Sequence, residues 1–244
     1  MHRRVKQAEK GRFDGSSRGL SHGTAALATQ SRFLAGISPH DQQSILGIAG
    51  HRRVSAKETI IHCGDEARCL FLLREGNIKY YRLTGKGDEM LLYWLSPGDT
   101  FGLSTLLKDP PGYIGSAEAN KDCTLWVWSH SSIRKLCGVY PQLSENALGI
   151  TMGYLAAYAD RHAGILTRTA HQRLAHTIIQ IGHRAGRPHP AGVDIDITNE
   201  QLSGLADVGV FTVSRLLSRW ERQGTIAKSR GRIRIHAPEK LLTE

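Results

Sequence analysis

The chain has 244 residues, of which 40% are hydrophobic and 22% are charged, and this globular balance excludes a wholly disordered protein. It contains 32 Lys and Arg residues against 22 Asp and Glu residues, a formal net charge of +10. No apolar run approaches the length of about 18 residues that a membrane span requires, so no membrane partner is expected. The N-terminus lacks the apolar core of a secretory signal. Four cysteines without CxxC spacing favour a reducing cytoplasm over a disulfide framework.

The excess positive charge lies at the two ends of the chain. Residues 1–20 carry six basic and two acidic side chains, and residues 168–244 carry twelve basic and seven acidic side chains. Residues 21–167 are nearly neutral, with fourteen basic and thirteen acidic side chains. This distribution predicts a disordered basic leader over residues 1–28 and a C-terminal domain, residues 168–244, that binds a polyanion.

Residues 29–142 predict the first folded domain. Apolar side chains recur at helical spacing over residues 31–49, which indicates a short helical lead-in. From residue 51 to 128, short runs of β-branched and aromatic residues alternate with turn signals such as Gly76 and Gly98. Strands that recur at roughly 8–15 residues between Gly-rich turns are typical of an antiparallel β sandwich or jelly roll.

A change of period after Trp128 predicts helices. A short helix over residues 132–140 ends at Pro141, and a long helix follows over residues 143–167. The long helix carries two apolar stripes. One comprises Leu143, Ala147, Ile150, Tyr154 and Ala157; the other comprises Leu148, Met152, Leu155, Ala159 and Leu166. We expect one side of the helix to pack on the β domain and another side on a second copy of the chain, the alternative being a helix wholly inside one domain.

Residues 171–182 predict an amphipathic helix, and the Gly- and Pro-rich residues 184–192 predict a loop. A helix-turn-helix is predicted next, because Thr198 and Gln201 form a capping box and residues 207–209 supply a turn. The second helix, over residues 210–223, buries a stripe of Val213, Leu216, Leu217 and Trp220. Its opposite face carries Phe211, Thr212, Ser214, Arg215, Ser218, Arg219 and Arg222. A basic helix in this position is suited to a major groove about 12 Å wide.

Gly224 ends the second helix, and residues 226–235 form two alternating strands about a Gly-containing turn, the pattern of a wing. The three cations of the wing, Lys228, Arg230 and Arg232, are expected to touch phosphates. The order of cap, turn, basic helix and basic wing predicts DNA binding. An ordinary helical hairpin with a solvated charged face is the alternative.

The whole arrangement resembles the Crp/Fnr family of bacterial transcription regulators over about residues 31–240. The segments FLLREGNIKYY, LSPGDTFG and ITNEQLSGLADVGVFTVSRLLSRWERQG resemble stretches that recur in this family. The resemblance implies an α+β fold with an N-terminal antiparallel β jelly roll, a long dimerisation helix and a C-terminal winged helix-turn-helix. It also implies a homodimer in which an effector in the jelly roll reorients two DNA-reading heads, and a contact with RNA polymerase if the protein is an activator.

The residues at the family's effector site depart from its pattern. Cyclic-nucleotide-binding members follow Phe-Gly with a Glu for the ribose and carry an Arg with Ser or Ala for the phosphate. Here those places fall on Leu103-Ser104 and Tyr113-Ile114, which cannot neutralise a buried phosphate. We therefore expect an effector other than cAMP or cGMP, or none. The candidate pocket comprises Phe101, Gly102, Leu103, Ser104, Tyr113, Ile114, Tyr154 and Tyr158.

The start of the recognition helix departs as well. The family's guanine-reading Arg and cytosine-reading Glu fall on Val210 and Phe211, which offer only apolar contact, for example to thymine methyl groups. Arg215 lies where the family has a second Arg on this helix, and it is suited to bidentate contact with guanine. The residues expected to position the helix on the DNA backbone are Thr212, Ser214 and Arg219. A dimer then requires two half-sites about 10 base pairs apart, in an operator unlike the usual family one.

No cofactor, metal site or catalytic residue is predicted, and no enzyme is expected. The cysteines are Cys63, Cys69, Cys123 and Cys137, and none lies near the N-terminus, where oxygen-sensing members hold an iron–sulfur centre. No His or Cys directly follows Phe101, where haem-binding members place one. A haem- or redox-based sensor that uses His62 or Cys63 is one alternative. A ligand-binding module whose basic head docks an acidic protein is another.

Overall fold

The structure is a computed structural model that describes residues 31–242 apart from residues 84, 86 and 88. The predicted basic leader, residues 1–28, lies outside the described residues. Within the described part of the chain, no helix is long and apolar enough to cross a membrane.

The chain divides into two compact units, each built from two segments. The first unit consists of Met1–Tyr80 and Leu95–Met152, and the second consists of Tyr81–Trp94 and Gly153–Glu244. The second unit therefore combines the C-terminal part of the sequence with a short segment from the middle of the β region.

The strands of the β region form two four-stranded sheets. They are β1 (Gly50–Val54), β2 (Thr59–Ile61), β3 (Cys69–Glu75), β4 (Ile78–Leu83), β5 (Glu89–Leu95), β6 (Thr100–Phe101), β7 (Ser116–Ala119) and β8 (Cys123–Ser129). One sheet has the order β1-β8-β3-β6 and the other the order β2-β7-β4-β5. The pairs β1–β8, β3–β8, β3–β6 and β2–β7 are antiparallel, which confirms the predicted antiparallel architecture.

Strands β1 and β7 fall in or at the edge of the predicted strand region, but they lack the sequence signal on which that prediction depends. Their sequences, GHRRV and SAEA, lack the runs of β-branched and aromatic residues on which the prediction depends. Both strands are formed by pairing, β1 along β8 and β7 along β2. Tertiary pairing therefore outweighs a weak local preference at these positions.

The helical lead-in is shorter than predicted. It consists of a 3-10 turn, Arg32–Leu34, and helix α1 (Pro39–Gly47), separated by Gly36 in the left-handed conformation with a φ of 73°. The indole nitrogen of Trp128 in β8 donates a hydrogen bond of 3.0 Å to the Ile45 carbonyl. This buried bond fixes α1 against β8.

Two helices follow β8, namely α2 (His130–Val139) and α3 (Gln142–Thr167). Helix α2 begins two residues earlier than predicted because the Ser129 side chain accepts a hydrogen bond from the Ser132 amide and caps it. The long helix α3 is confirmed. Leu143, Ala147 and Ile150 are buried, whereas the second stripe is exposed at Leu148, Met152, Leu155 and Leu166.

After α3 the second unit contains three helices and four strands. These are α4 (Ala170–Ala185), β9 (Arg187–His189), β10 (Gly192–Asp196), α5 (Asn199–Ala206), α6 (Val210–Arg222), β11 (Ile226–Ser229) and β12 (Arg232–Ile235). The strands form a sheet in the order β11-β12-β10-β9. We call this part of the chain, from α4 to β12, the head.

The predicted loop over residues 184–192 is wrong. Helix α4 continues to Ala185, and the following residues form β9, which pairs antiparallel with β10. Pro188 is tolerated in β9 because this strand lies at the edge of the sheet. An edge strand can lack an N–H group without losing a hydrogen bond to a neighbouring strand. Gly192 follows with a φ of +133°, and any side chain there would collide with the Ile235 carbonyl.

The hydrophobic core of the second unit includes residues from outside the head. Its buried members in the head include Leu174, Ile178, Ile195, Leu202, Val213, Leu217, Trp220 and Ile233. Tyr81 at the end of β4 and Leu91 in β5 are buried in the same cluster, and Trp94 packs against it. The end of the β4–β5 hairpin is therefore part of the packing that holds the head together.

Candidate nucleic-acid interface

The first helix of the predicted helix-turn-helix begins and ends as expected. The Thr198 side chain accepts a hydrogen bond from the Gln201 amide while the Gln201 side chain accepts one from the Thr198 amide, which confirms the capping box. Asp207 ends α5 in the left-handed conformation, with a φ of 50°. The Arg173 guanidinium of α4 donates to the carbonyls of Ala206 and Asp207 at 3.0 and 2.8 Å. These bonds satisfy carbonyls at the helix end and fix the turn.

Helix α6 has one buried and one exposed side, as its sequence predicts. Val213, Leu216, Leu217 and Trp220 are buried in the core. The opposite side, which we call the reading face, comprises Phe211, Thr212, Ser214, Arg215 and Arg219. Arg215 is exposed and makes no ion pair with any residue that the structure describes. Its guanidinium is therefore available for an external ligand.

The wing is formed by β11 and β12, which pair antiparallel as predicted. Arg230 is exposed between the two strands and has no partner among the described residues. Arg232 differs, because its Nε donates to the Asp196 carboxylate of β10 at 3.1 Å. The same carboxylate oxygen accepts a 2.8 Å hydrogen bond from Arg187.

Lys228 is also partnered within the head. Its Nζ lies 3.1 Å from a carboxylate oxygen of Glu221 and donates to the Ser218 hydroxyl at 3.0 Å. The hydrogen bond from Lys228 lowers the pKa of Glu221, which keeps that carboxylate charged. Of the three wing cations predicted to touch phosphates, Arg230 is the one without a carboxylate partner among the described residues.

A partly buried ion pair joins the strands that support the wing. Arg234 in β12 lies directly across from Asp194 in β10 and donates to its two carboxylate oxygens at 2.6 and 3.1 Å. The Asp194 side chain is only 10% exposed. The hydrogen bonds from Arg234 lower the pKa of Asp194. Two alternating patterns, Asp-x-Asp in β10 and Arg-x-Arg in β12, are the sequence signal for this pairing.

Part of the candidate effector pocket is brought together in the first unit. The rings of Phe101 and Phe71 stack with centroids 4.9 Å apart. Gly102 has a φ of +79°, and an added Cβ would lie 2.7 Å from the Cys69 carbonyl oxygen and 3.2 Å from the Tyr113 ring. The buried Tyr113 hydroxyl donates to the Cys69 carbonyl and accepts from the Cys69 amide, both at 3.0 Å. Leu103 and Ser104 follow in a 3-10 turn.

The remaining members of the candidate pocket are Ile114, Tyr154 and Tyr158. The Ile114 side chain is exposed, and its carbonyl accepts a hydrogen bond from the Cys63 thiol. Tyr154 belongs to the second unit, where its carbonyl accepts a 2.7 Å hydrogen bond from the Tyr93 hydroxyl. Tyr158 is also in the second unit and is exposed. Within the part of the chain that the structure describes, no three His, Cys, Asp or Glu side chains cluster as metal ligands would.

The architecture combines an antiparallel β unit, a long helix and a winged helix-turn-helix. Residues 51–140 match the cyclic nucleotide-binding domain, and residues 172–244 match the Crp-like helix-turn-helix domain. The chain belongs to the Crp/Fnr family of transcription regulators, and the predicted resemblance is confirmed.

Individual relatives agree with this assignment. The chain is 24% identical over 195 residues to the fumarate nitrate reduction regulatory protein of Klebsiella oxytoca, covering 78% of this chain and 77% of that protein. It is 27% identical over 175 residues to the cAMP-activated global transcriptional regulator CRP of Pasteurella multocida, covering 70% of this chain and 83% of that protein. The structure of FixK2 from Bradyrhizobium japonicum has the same fold, with a TM-score of 0.68 and 23% sequence identity. The match covers 80% of this chain and 96% of the FixK2 chain.

Proposed function

We propose that the chain is a cytoplasmic, homodimeric regulator that binds a palindromic operator through helix α6. The observation that carries this proposal is Arg215, an exposed guanidinium without an internal partner among the described residues, on a helix whose other side is core. A guanidinium of this kind binds the O6 and N7 atoms of guanine in bidentate fashion, and each such contact discriminates against other bases by about 1–3 kcal/mol. An activator of this type would also contact RNA polymerase.

The second stripe of α3 supports the homodimer. Leu148, Met152, Leu155, Ala159 and Leu166 follow steps of three, four and seven residues, the spacing of a coiled-coil seam. Leu155 and Leu166 are 57% and 74% exposed in the single chain, so burial of this stripe would remove a row of apolar groups from water. Two copies related by a twofold axis would place two α6 helices on half-sites about 10 base pairs apart.

We propose an effector other than cAMP or cGMP, or none, and no resident cofactor. Tyr113 supports this proposal because it occupies the place of the family's phosphate-binding Arg while its hydroxyl is already bonded to the Cys69 backbone. Calorimetry should therefore detect no binding of cAMP or cGMP. A purified sample should stay colourless with added hemin, and a Soret band would contradict the absence of haem.

Binding of duplex DNA at increasing salt tests the main proposal. We expect affinity to fall steeply as salt rises, because phosphate contacts release counterions. Arg215→Ala should lower the affinity for the operator to nearly that for random sequence. The matched control is Arg53→Ala, which removes an exposed Arg from β1 and should leave both affinities unchanged. Binding that depends on neither salt nor Arg215 would contradict the proposal and favour an acidic protein partner.

A further inference from the structure

The most exposed large hydrophobic side chain among the described residues is Phe211, which is 89% exposed. It lies in the first turn of α6, directly after Val210 and the helix cap Gly209. A phenyl ring exposed to this extent on the reading face is free to make an apolar contact with a ligand of the helix. The position of Phe211 on the helix identifies that ligand.

Phe211 shares the reading face with Ser214 and Arg215, which are three and four residues further along the helix. Side chains at the N-terminal end of a recognition helix are those that contact base edges. In the major groove the apolar group on a base edge is the C5 methyl group of thymine. A phenyl ring has neither a donor nor an acceptor for the other groups on the base edges.

We propose that Phe211 recognises the 5-methyl group of a pyrimidine in each half-site, close to the guanine bound by Arg215. This inference rests on the proposed function of α6. The two residues are four positions apart, about 6 Å along the helix axis, which corresponds to about two base-pair steps of 3.4 Å. Cytosine methylated at C5 carries its methyl group at the same place, so the ring accepts thymine and 5-methylcytosine alike. Binding to an operator with cytosine at this position therefore responds to cytosine methylation.

The test uses duplexes of the operator selected from a random pool, with changes confined to one pyrimidine position. Replacing thymine by deoxyuridine removes only the methyl group and should weaken binding about fourfold for one half-site and about 15-fold for both. Replacing thymine by cytosine should weaken binding about as much as deoxyuridine does, and 5-methylcytosine should restore about fourfold per half-site. Unmodified operator and a duplex with deoxyuridine outside the half-sites serve as controls.

Variants of Phe211 distinguish the contribution of the phenyl ring to binding from that of the rest of the helix. Phe211→Ala should bind thymine and deoxyuridine operators equally, whereas Phe211→Leu should keep part of the preference. Phe211→Glu should shift the preference to cytosine, since a carboxylate accepts from cytosine N4. The side chain is exposed, so circular dichroism should show all three variants folded.

Two results overturn the inference. If wild type selects an operator that depends on Arg215 but binds thymine and deoxyuridine equally at every position, methyl recognition by Phe211 fails while the proposed function stands. If Phe211→Ala weakens all duplexes by one common factor, the ring acts on the backbone and the inference fails again. If no duplex is enriched at all, the proposed function fails, and methyl recognition fails with it.

Discussion

The Nζ of Lys228 in the wing lies 3.1 Å from a carboxylate oxygen of Glu221 on the recognition helix. The other Glu221 oxygen accepts a hydrogen bond from the Lys228 amide, also at 3.1 Å. The recognition helix therefore holds the first wing strand in place and neutralises one of its cations. The positive charge of the wing is therefore reduced by carboxylates of the head itself.

Glu221→Gln should increase the salt dependence of DNA binding. Gln keeps an acceptor for the Lys228 amide but loses the charge, so Lys228 becomes available to a phosphate. We expect the slope of log K against log salt to become steeper by about 0.9 for each chain, as one added phosphate contact requires. Fluorescence anisotropy with a labelled duplex at four or more salt concentrations gives this slope.

Two comparisons accompany Glu221→Gln. Arg230→Ala removes the wing cation that has no carboxylate partner among the described residues and should make the slope shallower by about 0.9. Glu145→Gln removes an exposed carboxylate from the first turn of α3 and should leave the slope unchanged. An unchanged slope for Glu221→Gln would contradict the prediction that Glu221 withholds Lys228 from a phosphate.

Leu155→Glu should convert the proposed dimer to a monomer. Leu155 lies in the middle of the exposed stripe of α3, and a carboxylate there would face its own copy across the twofold axis. Sedimentation equilibrium should show a dissociation constant raised by at least about 100-fold, with a parallel loss of operator binding. Ala156→Glu is the matched control, because Ala156 lies outside the stripe on the same helix. If Leu155→Glu stays dimeric, another surface forms the dimer.

Arg161→Met should destabilise the second unit. The Arg161 guanidinium on α3 donates to the Leu91 and Leu92 carbonyls of β5 at 3.1 and 2.9 Å, and burial lowers its pKa. Met fills part of the space but leaves two carbonyls without a donor, at a cost of about 2–4 kcal/mol in the free energy of unfolding. Urea titration of the full chain measures this change.

The control for Arg161→Met is Arg134→Met. Arg134 is exposed and donates to one carbonyl, that of Leu106, so its replacement should cost less than about 0.5 kcal/mol. Equal effects of the two substitutions would mean that the pairing of Arg161 with β5 contributes nothing specific to stability.

Asp194→Asn should reduce stability in a pH-dependent way. Hydrogen bonds from Arg234 hold the pKa of Asp194 below its ordinary value, so the folded state favours the charged carboxylate. The resulting stability is present above the unfolded pKa of about 3.9 and is lost as the pH falls through the lower folded pKa. The difference in the free energy of unfolding between wild type and Asp194→Asn should be largest at pH 7 and should shrink below about pH 4.

Urea titrations of the full chain at pH 7, 4 and 2.5 measure this dependence. Asp109→Asn, a change at an exposed carboxylate, is the control and should show no comparable pH-dependent difference. A difference between wild type and Asp194→Asn that is the same at all three pH values would contradict the role of the ion pair.

The helix-turn-helix of the head was predictable from sequence because its signals are local. The capping box of Thr198 and Gln201 and the left-handed Asp207 each depend on residues within a few positions, and the structure confirms both. The stripe of α6 follows from the helical period alone. Such features need no knowledge of the rest of the chain.

Other features depend on contacts between distant parts of the sequence. The packing of Tyr81 and Leu91 with the core of the head has no local signal, since both residues lie in ordinary strands. Strand β9 was misassigned because Pro188 suggests a loop, while the edge of a sheet tolerates proline. The bonds of the Tyr113 hydroxyl to Cys69 join residues 44 positions apart. Contacts between residues so far apart in the sequence can be predicted only when the fold is known.

Selection of bound sequences from a random duplex pool tests the central claim most directly, namely that two copies of α6 recognise DNA bases through Arg215. The expected result is an enriched palindrome with half-sites about 10 base pairs apart, each containing a guanine that is no longer enriched with Arg215→Ala. An enriched sequence without twofold symmetry, or the same guanine enriched by Arg215→Ala, would contradict the claim.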